Sequence, residues 1–364
     1  MDLEFARMLG DSAQHWAAAH YTLAQRKPLL ELDGAFSPDV WRALADLGWL
    51  ALRLPEAAGG LDADPLAVGT LMQAVGSHLL LEPLLASAVV GTGLLARLAS
   101  PTQRARLFPL LAAGQVKLAF TGEDSGCVWR DGALHGKASA ILHGDIADVL
   151  IVAARDAGSG ATRLRLVERA QPGWRRQAYR LVDGRGAAHL EFDAVASEAL
   201  ADGAEADAAI ETALAEATVA LCAEALGCVR ALVAATCDYL KLRQQFGRPI
   251  GANQVLQHRA VEMFFLQEEN AALTARAEIA LAAPPRERAQ AVSAAKAYVC
   301  RAARQVANDA VQMHGGVGMT DELAVSHHFR RLMVNAALFG GRDQQFARFL
   351  SSVAASPAAG ECLQ

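Results

Sequence analysis

An α+β chain, mainly α, is predicted: an N-terminal helical domain over residues 1–114, a small antiparallel β-domain over 115–205 and a C-terminal four-helix bundle over 206–364. Three observations lead there. Apolar residues recur at helical spacing in the flanking regions, most clearly at Leu214, Val219, Leu221, Leu226, Val229, Leu232, Val233 and Leu240, more than one strand can hold. Between Lys117 and Phe192 the period drops to short runs separated by Gly and Asp, the rhythm of strands and turns. No helix fits between those runs, so parallel βαβ units are not expected.

In the first region, Ser37 is placed to cap a helix that has Pro38 at its first position, with Leu44, Leu47 and Trp49 on its apolar face and Gly48 as its stop,. Leu54-Pro-Glu-Ala-Ala-Gly-Gly-Leu61 reads as a turn, and helical spacing resumes at Pro65,. The apolar stretch Leu79 to Leu98 is interrupted by Glu82 and Pro83 and suits a buried helix better than a membrane span,. Ser100-Pro-Thr-Gln starts one more short helix,. The strand candidates are Lys117–Thr121, Leu134–Leu142, Val149–Ala153, Thr162–Val167 and His189–Phe192; Arg163 and Arg165 alternate with leucines as on a half-buried antiparallel strand,. Helices return from about Asp207, from Asn253 to about Leu281, from Glu287 to Gln312, and near Asp343 to Val353.

Composition excludes several classes. Hydrophobic residues make up 53% and charged residues 20%, which implies a folded globular protein. The net charge of −5 argues against a nucleic-acid partner, which would need a clustered basic surface. The N-terminal residues lack a basic stretch followed by an apolar one, so a cytoplasmic protein without a membrane span is expected. The cysteines, Cys127, Cys222, Cys228, Cys237, Cys300 and Cys362, form no C-x-x-C pair and read as small apolar residues in a reducing compartment,.

Two polar features interrupt the C-terminal helices. The long helix runs into Tyr239-Leu-Lys-Leu-Arg-Gln-Gln-Phe-Gly-Arg-Pro-Ile250, where Gly247 and Pro249 break it before the next helix starts near Asn253,. Arg243, Gln244, Gln245, Arg248, Gln254, Gln257 and His258 would surround that corner. They could grip phosphate and ribose oxygens or stand as a solvated loop. The second feature is His314-Gly-Gly-Val-Gly-Met-Thr320, following Gln312. Its glycines would let backbone N–H groups approach a ligand, but it follows no strand and lacks the G-x-G-x-x-G spacing, so it could equally be a helix-ending turn.

Region order and motifs together resemble the flavin-dependent acyl-CoA dehydrogenases over essentially the whole chain. The matching pieces are Arg243-Gln-Gln-Phe-Gly-Arg-Pro-Ile250 with Gln254 and Gln257-His258, and Gln312-Met-His-Gly-Gly-Val-Gly-Met319. Leu54-Pro-Glu56, Gly59-Gly60, Phe120-Thr-Gly-Glu123 and Leu190-Glu-Phe-Asp-Ala-Val195 add to them. The resemblance implies oxidation of an acyl-CoA thioester to the 2,3-enoyl-CoA with FAD bound between subunits. It also implies a homo- or heterotetramer and an electron-transfer flavoprotein as acceptor. By it, Arg243 and Phe246 hold the pyrophosphate and adenine side of a neighbouring subunit's FAD, and Gln312, Gly315 and Gly316 meet the same dinucleotide; Gln254 belongs to the same corner.

The departures lie at the chemistry. The family's usual base is the Glu of a Tyr-Glu-Gly-Thr segment, where this chain reads Phe339-Gly-Gly-Arg342, putting Gly340 at the carboxylate position. Relatives that carry the base on the long helix would place it at Ala217 or Thr218. Glu216 is one residue off, and one step turns a helical side chain by about 100°; it reads as a solvated helix-start glutamate. Asp343 reads as an N-cap, and Glu123 as a ligand contact or a loop carboxylate. Around the flavin ring, Glu123-Asp-Ser-Gly126 and Ala140-Ile-Leu-His143 stand where relatives carry Glu-Pro-x-x-Gly-Ser-Asp and Trp-Ile-Thr/Ser. His143 reads as a polar strand-end residue, and Trp129 and Trp174 as packing or surface residues. The catalytic base is therefore unassigned. The readings are a dehydrogenase with an unconventional base or one supplied from another chain, a partner subunit that completes the FAD site of a paralogue, or a helical protein that has lost FAD; Gly340 favours the second.

Overall fold

The computed structural model describes residues 2–122 and 125–354. In chain order the helices of the first part are α1 (Leu3–His20), α2 (Leu23–Leu29), α3 (Pro38–Asp46), α4 (Pro65–His78), α5 (Thr92–Leu98) and α6 (Pro101–Ala112), with a π-helical stretch at Leu84–Gly91. Ser37 caps α3 by accepting from the Val40 N–H. Ser100 and Gln103 form a reciprocal capping box on α6,. The chain groups into two compact units, one of Lys27–Ala63 and Leu81–Ala217, the other of the residues up to Arg26, Asp64–Leu80 and everything from Thr218.

The first unit contains an eight-stranded sheet built from β1 (Leu118–Phe120), β2 (Gly126–Arg130), β3 (Ala133–Leu142), β4 (Val149–Asp156), β5 (Thr162–Glu168), β6 (Trp174–Arg180), β7 (Gly186–Val195) and β8 (Glu198–Asp202). Its order is β6-β7-β3-β2-β4-β5-β8, with β1 beside β4. The sheet is not purely antiparallel: β1 and β2 both pair with β4 in parallel. The β2–β3 hairpin lies between β1 and β4 in the chain and takes the place of the helical crossover that a parallel pair otherwise needs. The central strand β4 is buried along six successive residues, as a strand covered on both faces must be. Arg165 is not the solvent-facing member of an alternating strand. It is 5% exposed, its guanidinium lies 4.4 Å over the Trp129 ring and it pairs with Asp202 at 3.0 Å. Strands β2, β6 and β8 are not expected from the sequence; β6 is a mostly exposed edge rich in arginine, with no apolar alternation to reveal it.

The second unit is helical: α7 (Gly203–Leu242), whose first residues belong to the sheet-bearing unit, then α8 (Gln254–Ala280), α9 (Pro285–His314), α10 (Ala324–Ala337) and α11 (Arg342–Ala354). By length and composition α7 could cross a membrane, but 78% of its most apolar window is buried inside the protein. Its Cys222, Val229 and Leu232 pack with Met263, Val299, Val306 and Leu332 in one apolar core. Cys127, Cys222, Cys228 and Cys300 are buried free thiols and Cys237 is half-buried; Cys362 lies outside the described residues. Helix α10 is unexpected because its buried side includes Ser326, His327, His328, Arg331 and Asn335, so an apolar count passes over it.

These polar residues hold the unit together. Arg331 is fully buried and paired with Glu224 of α7 at 2.8 Å, both side chains having no exposure. Its other terminal nitrogen donates to Leu80 O at 2.9 Å. Arg26 donates to Leu79 O at 2.9 Å. Leu79 has φ 58° just past α4, so the two guanidiniums satisfy carbonyls that the end of the helix leaves without partners. Burial, and then the Arg331 charge, push His328 down to about 3, so it packs here as a neutral ring.

Candidate functional site

Helix α7 ends at Leu242 and the chain turns at once into a two-stranded hairpin, Gln244–Gln245 (β9) against Arg248–Pro249 (β10). The Ile250 N–H donates to Arg243 O at 2.8 Å and closes its neck. The tip is Phe246, φ 52°, followed by Gly247, φ 76°, the two positive values of a type I′ turn. Glycine takes that conformation freely, whereas a bulky aromatic residue there is strained. The Phe246 ring is nevertheless fully exposed, at 102%. Backbone strain that presents a side chain outward clusters at ligand sites.

Behind the hairpin, Arg248 donates to Asn253 Oδ1 at 2.9 Å, Asn253 to Ile250 O at 2.9 Å and Gln257 to Gly251 O at 2.8 Å. These bonds knit the corner internally. Arg243, Gln254 and Gln312 are exposed, and their side chains have no partner among the described residues. A guanidinium and two amides therefore keep their full donor capacity.

The second feature is the turn Gly315–Met319 after α9. Gly315 has φ 68° and ψ −148°, a region open essentially to glycine alone. A Cβ added at Gly315 or Gly316 would meet nothing within 4 Å, so the backbone there can be approached closely. The turn is tied to the α7 corner. Tyr239, one helical turn before Arg243, stacks on His314 with ring centroids 4.4 Å apart and planes at 26°, and its hydroxyl reaches His314 O at 3.4 Å. His314 is 6% exposed and its Nδ1 lies 2.8 Å from Ala310 O. The sequence-predicted residues Arg243, Phe246, Gln254, Gln312, Gly315 and Gly316 thus sit in one helical unit with exposed side chains or backbone. The sequence reading misses the Tyr239–His314 stack; an aromatic residue near each helix end is its only trace.

The positions expected to carry the chemistry are different. Gly340 has φ 92°, and a Cβ there would lie 2.9 Å from the side chains of Gln344 and Gln345. Asp343 lies inside the first turn of α11, which begins at Arg342, so it is not the cap of that helix. Glu216 is neither at a helix start nor solvated. It lies well inside α7, is 14% exposed, and pairs with both Arg53, at 2.9 Å, and Arg97, at 2.5 Å. Those partners lie 163 and 119 residues away in sequence, beyond the reach of any local pattern. The two guanidiniums share its Oε1. Ala217 and Thr218 are buried and carry no carboxylate. Glu123 lies outside the described residues.

On the sheet, β3 and β7 shift register between Ala138 and Ile141, where Ala140 is exposed with φ 57°, and Leu142 and His143 are buried. These residues offer neither an indole face nor a hydroxyl in the Ala140–His143 stretch. The strained exposed Phe246, the unspent donors of Arg243 and Gln312 and the open glycine backbone suit an anionic, aromatic-ended ligand. The 339–342 turn carries no carboxylate.

Comparison with known proteins shows the family. The chain is 28% identical over 371 residues to "Acyl-CoA dehydrogenase FadE27" of Mycobacterium tuberculosis, covering 98% of each chain. It is 28% identical over 356 residues to "Acyl-CoA dehydrogenase IpdE2" of the same organism, covering 97% of this chain and 99% of the relative. A chain of the ChsE4-ChsE5 complex from Mycobacterium tuberculosis superposes with a TM-score of 0.87 at 26% identity, covering 98% of this chain and 99% of that one. Residues 4–115 match the model of the acyl-CoA dehydrogenase N-terminal domain and residues 207–351 that of the acyl-CoA dehydrogenase C-terminal domain. With both terminal domains matched in order around the sheet, the chain belongs to the acyl-CoA dehydrogenase family.

Proposed function

We propose that this chain is one subunit of a heteromeric, FAD-dependent acyl-CoA dehydrogenase that forms the α,β double bond of an acyl-CoA thioester. In that assembly it holds the dinucleotide end of a flavin whose ring and catalytic base belong to a paralogous subunit. The flavin, when bound, accepts the β-hydride while the α-proton goes to a carboxylate. The observation that carries the division of labour is Gly340: a left-handed glycine with side chains 2.9 Å from any added Cβ stands where the family keeps its base. Glu216, the nearest alternative along α7, is committed to Arg53 and Arg97.

This chain's own contribution is binding and orientation. Arg243 would form charge-assisted hydrogen bonds to pyrophosphate oxygens, Phe246 would stack on the adenine side, and the N–H groups around Gly315 and Gly316, with Gln312, would meet the same dinucleotide. Gln254 adds an amide to the corner. The likeness to a chain of the ChsE4-ChsE5 complex supports a heteromer, taken here as a heterotetramer, in which the exposed Phe264 and Phe265 of α8 and Phe346 and Leu350 of α11 would be covered. Residues 1–114, 115–205 and 206–364 serve as the helical, β and bundle domains of such a subunit. The same reading places it in the cytoplasm with an electron-transfer flavoprotein as acceptor.

Purification of the chain alone tests this. It is expected to oxidise no acyl-CoA and to retain no flavin; a yellow preparation that oxidises acyl-CoA by itself would sink the partner-subunit reading.

A further inference from the structure

The two elements of the flavin grip are remote in sequence, yet the Tyr239–His314 pair joins them. Tyr239 lies on the last turns of α7, and its backbone carbonyl accepts the Arg243 N–H at 2.8 Å. Its ring therefore fixes the helical turn from which Arg243 and the Phe246 hairpin emerge. His314 is the last residue of α9 and immediately precedes Gly315, whose dihedrals set the direction of the glycine turn. Tyr239 meets His314 twice, by the ring stack at 4.4 Å and by its hydroxyl on His314 O at 3.4 Å. On its far side the imidazole is held by the 2.8 Å contact of Nδ1 with Ala310 O, which orients the ring along α9. Neither ring is among the exposed donors of the grip: Tyr239 is half-buried and His314 buried.

We propose that the Tyr239–His314 stack is a positioning joint that sets the Arg243 hairpin and the Gly315 turn at the spacing a single dinucleotide requires. This rests on the flavin-grip reading above. The two residues touch no flavin; they act through Arg243 and through the turn backbone. An aromatic pair of this geometry contributes a few-fold to about tenfold in an equilibrium constant beyond its buried area. Loosening the joint should therefore weaken flavin retention by that factor, while removal of Arg243 itself costs much more.

The test uses the co-expressed heteromer, with FAD release followed by the rise in flavin fluorescence on dilution and assembly checked by size-exclusion chromatography. Tyr239→Leu and His314→Leu should each speed FAD release by roughly three- to tenfold in an intact assembly. Tyr239→Phe, which keeps the ring stack, should stay within about twofold of the parent by the same scale. Tyr239→Leu added to Arg243→Ala should add little, because the joint acts through the groups it positions. Intact Leu variants that release FAD at the parental rate would overturn the joint, as would Tyr239→Phe behaving like Tyr239→Leu. If Tyr239→Leu does not assemble, His314→Leu and Tyr239→Phe still decide between these outcomes. If Arg243→Ala itself leaves FAD release unchanged, the flavin-grip reading fails; if Arg243→Ala loses FAD and the Leu variants do not, only the joint fails.

Discussion

The corner at Arg243 and the turn at Gly340 are both short breaks between helices of the same unit, and they are built in opposite ways. The first keeps an exposed aromatic tip in a strained conformation, a free guanidinium and an open glycine backbone nearby. The second carries a glycine whose positive φ and close neighbours discourage any side chain. A chain under selection only to fold would have no reason to keep Phe246 strained and exposed while emptying Gly340. A chain that lends a grip to another subunit's cofactor would do both.

Variants can separate the two regions, starting from the support they share. Glu224→Ala removes one partner of a fully buried ion pair and should cost about 3–5 kcal/mol of stability, read by urea denaturation of the heteromer. A loss below about 1 kcal/mol would place the pair in the range of surface ion pairs. Arg243→Ala should leave folding intact and weaken FAD retention by about 2–5 kcal/mol, as for a charge left without its phosphate partner; unchanged flavin content would remove the grip. Gly340→Glu should cost about 1–3 kcal/mol from the left-handed backbone and yield no dehydrogenase activity in the isolated chain, since the Ala140–His143 stretch still lacks the ring-packing groups. Activity in that variant would show that this chain's own ring site is competent.

The smallest effects are set by pH, and they differ between the two compact units. In the helical unit, burial and then the Asp64 charge raise Glu278 from 4.5 to about 8; its carboxyl lies flush against Gly69, with Cys222 and Lys296 in the same neighbourhood. In the sheet-bearing unit, burial raises Asp145 from 3.8 to about 6, against the pull of Arg180 and Arg176. Both groups bind their proton more tightly when folded, so each contributes stability that is full below its unfolded pKa and is lost as pH rises through the folded value. Thermal midpoints should therefore fall from about pH 4 to 6 for Asp145 and on to about pH 8 for Glu278. Glu278→Gln should flatten the upper part of that decline and leave the lower part in place. An upper slope unchanged in Glu278→Gln would assign it to another group.

Much of this was legible in the sequence where the physics is local. Capping serines, helical apolar spacing and the Gly247 and Gly315 breaks fix their elements within a few residues. The polar corner could be recognised as a candidate grip from its donors alone, although two weak signals became specific only through family resemblance. What stayed hidden depends on residues far apart in the chain. The pairing of Glu216 with Arg53 and Arg97, the burial of Arg165 under Trp129, the parallel pairing of β1 and β2 with β4 and the Tyr239–His314 stack all need the tertiary structure. Helix α10 stayed hidden for a different reason: its inward face is polar, and partners such as Glu224 and Leu80 for Arg331 lie where no periodicity reveals them.

The central claim is that one chain grips and the other reacts, and counting flavin tests it most directly. In the purified heteromer, FAD released by denaturation and measured by absorbance against total protein should amount to one flavin for every two chains, because this chain completes its partner's site and has no ring site of its own to be completed. One flavin per chain would contradict the division of labour and return an independent active site to this subunit.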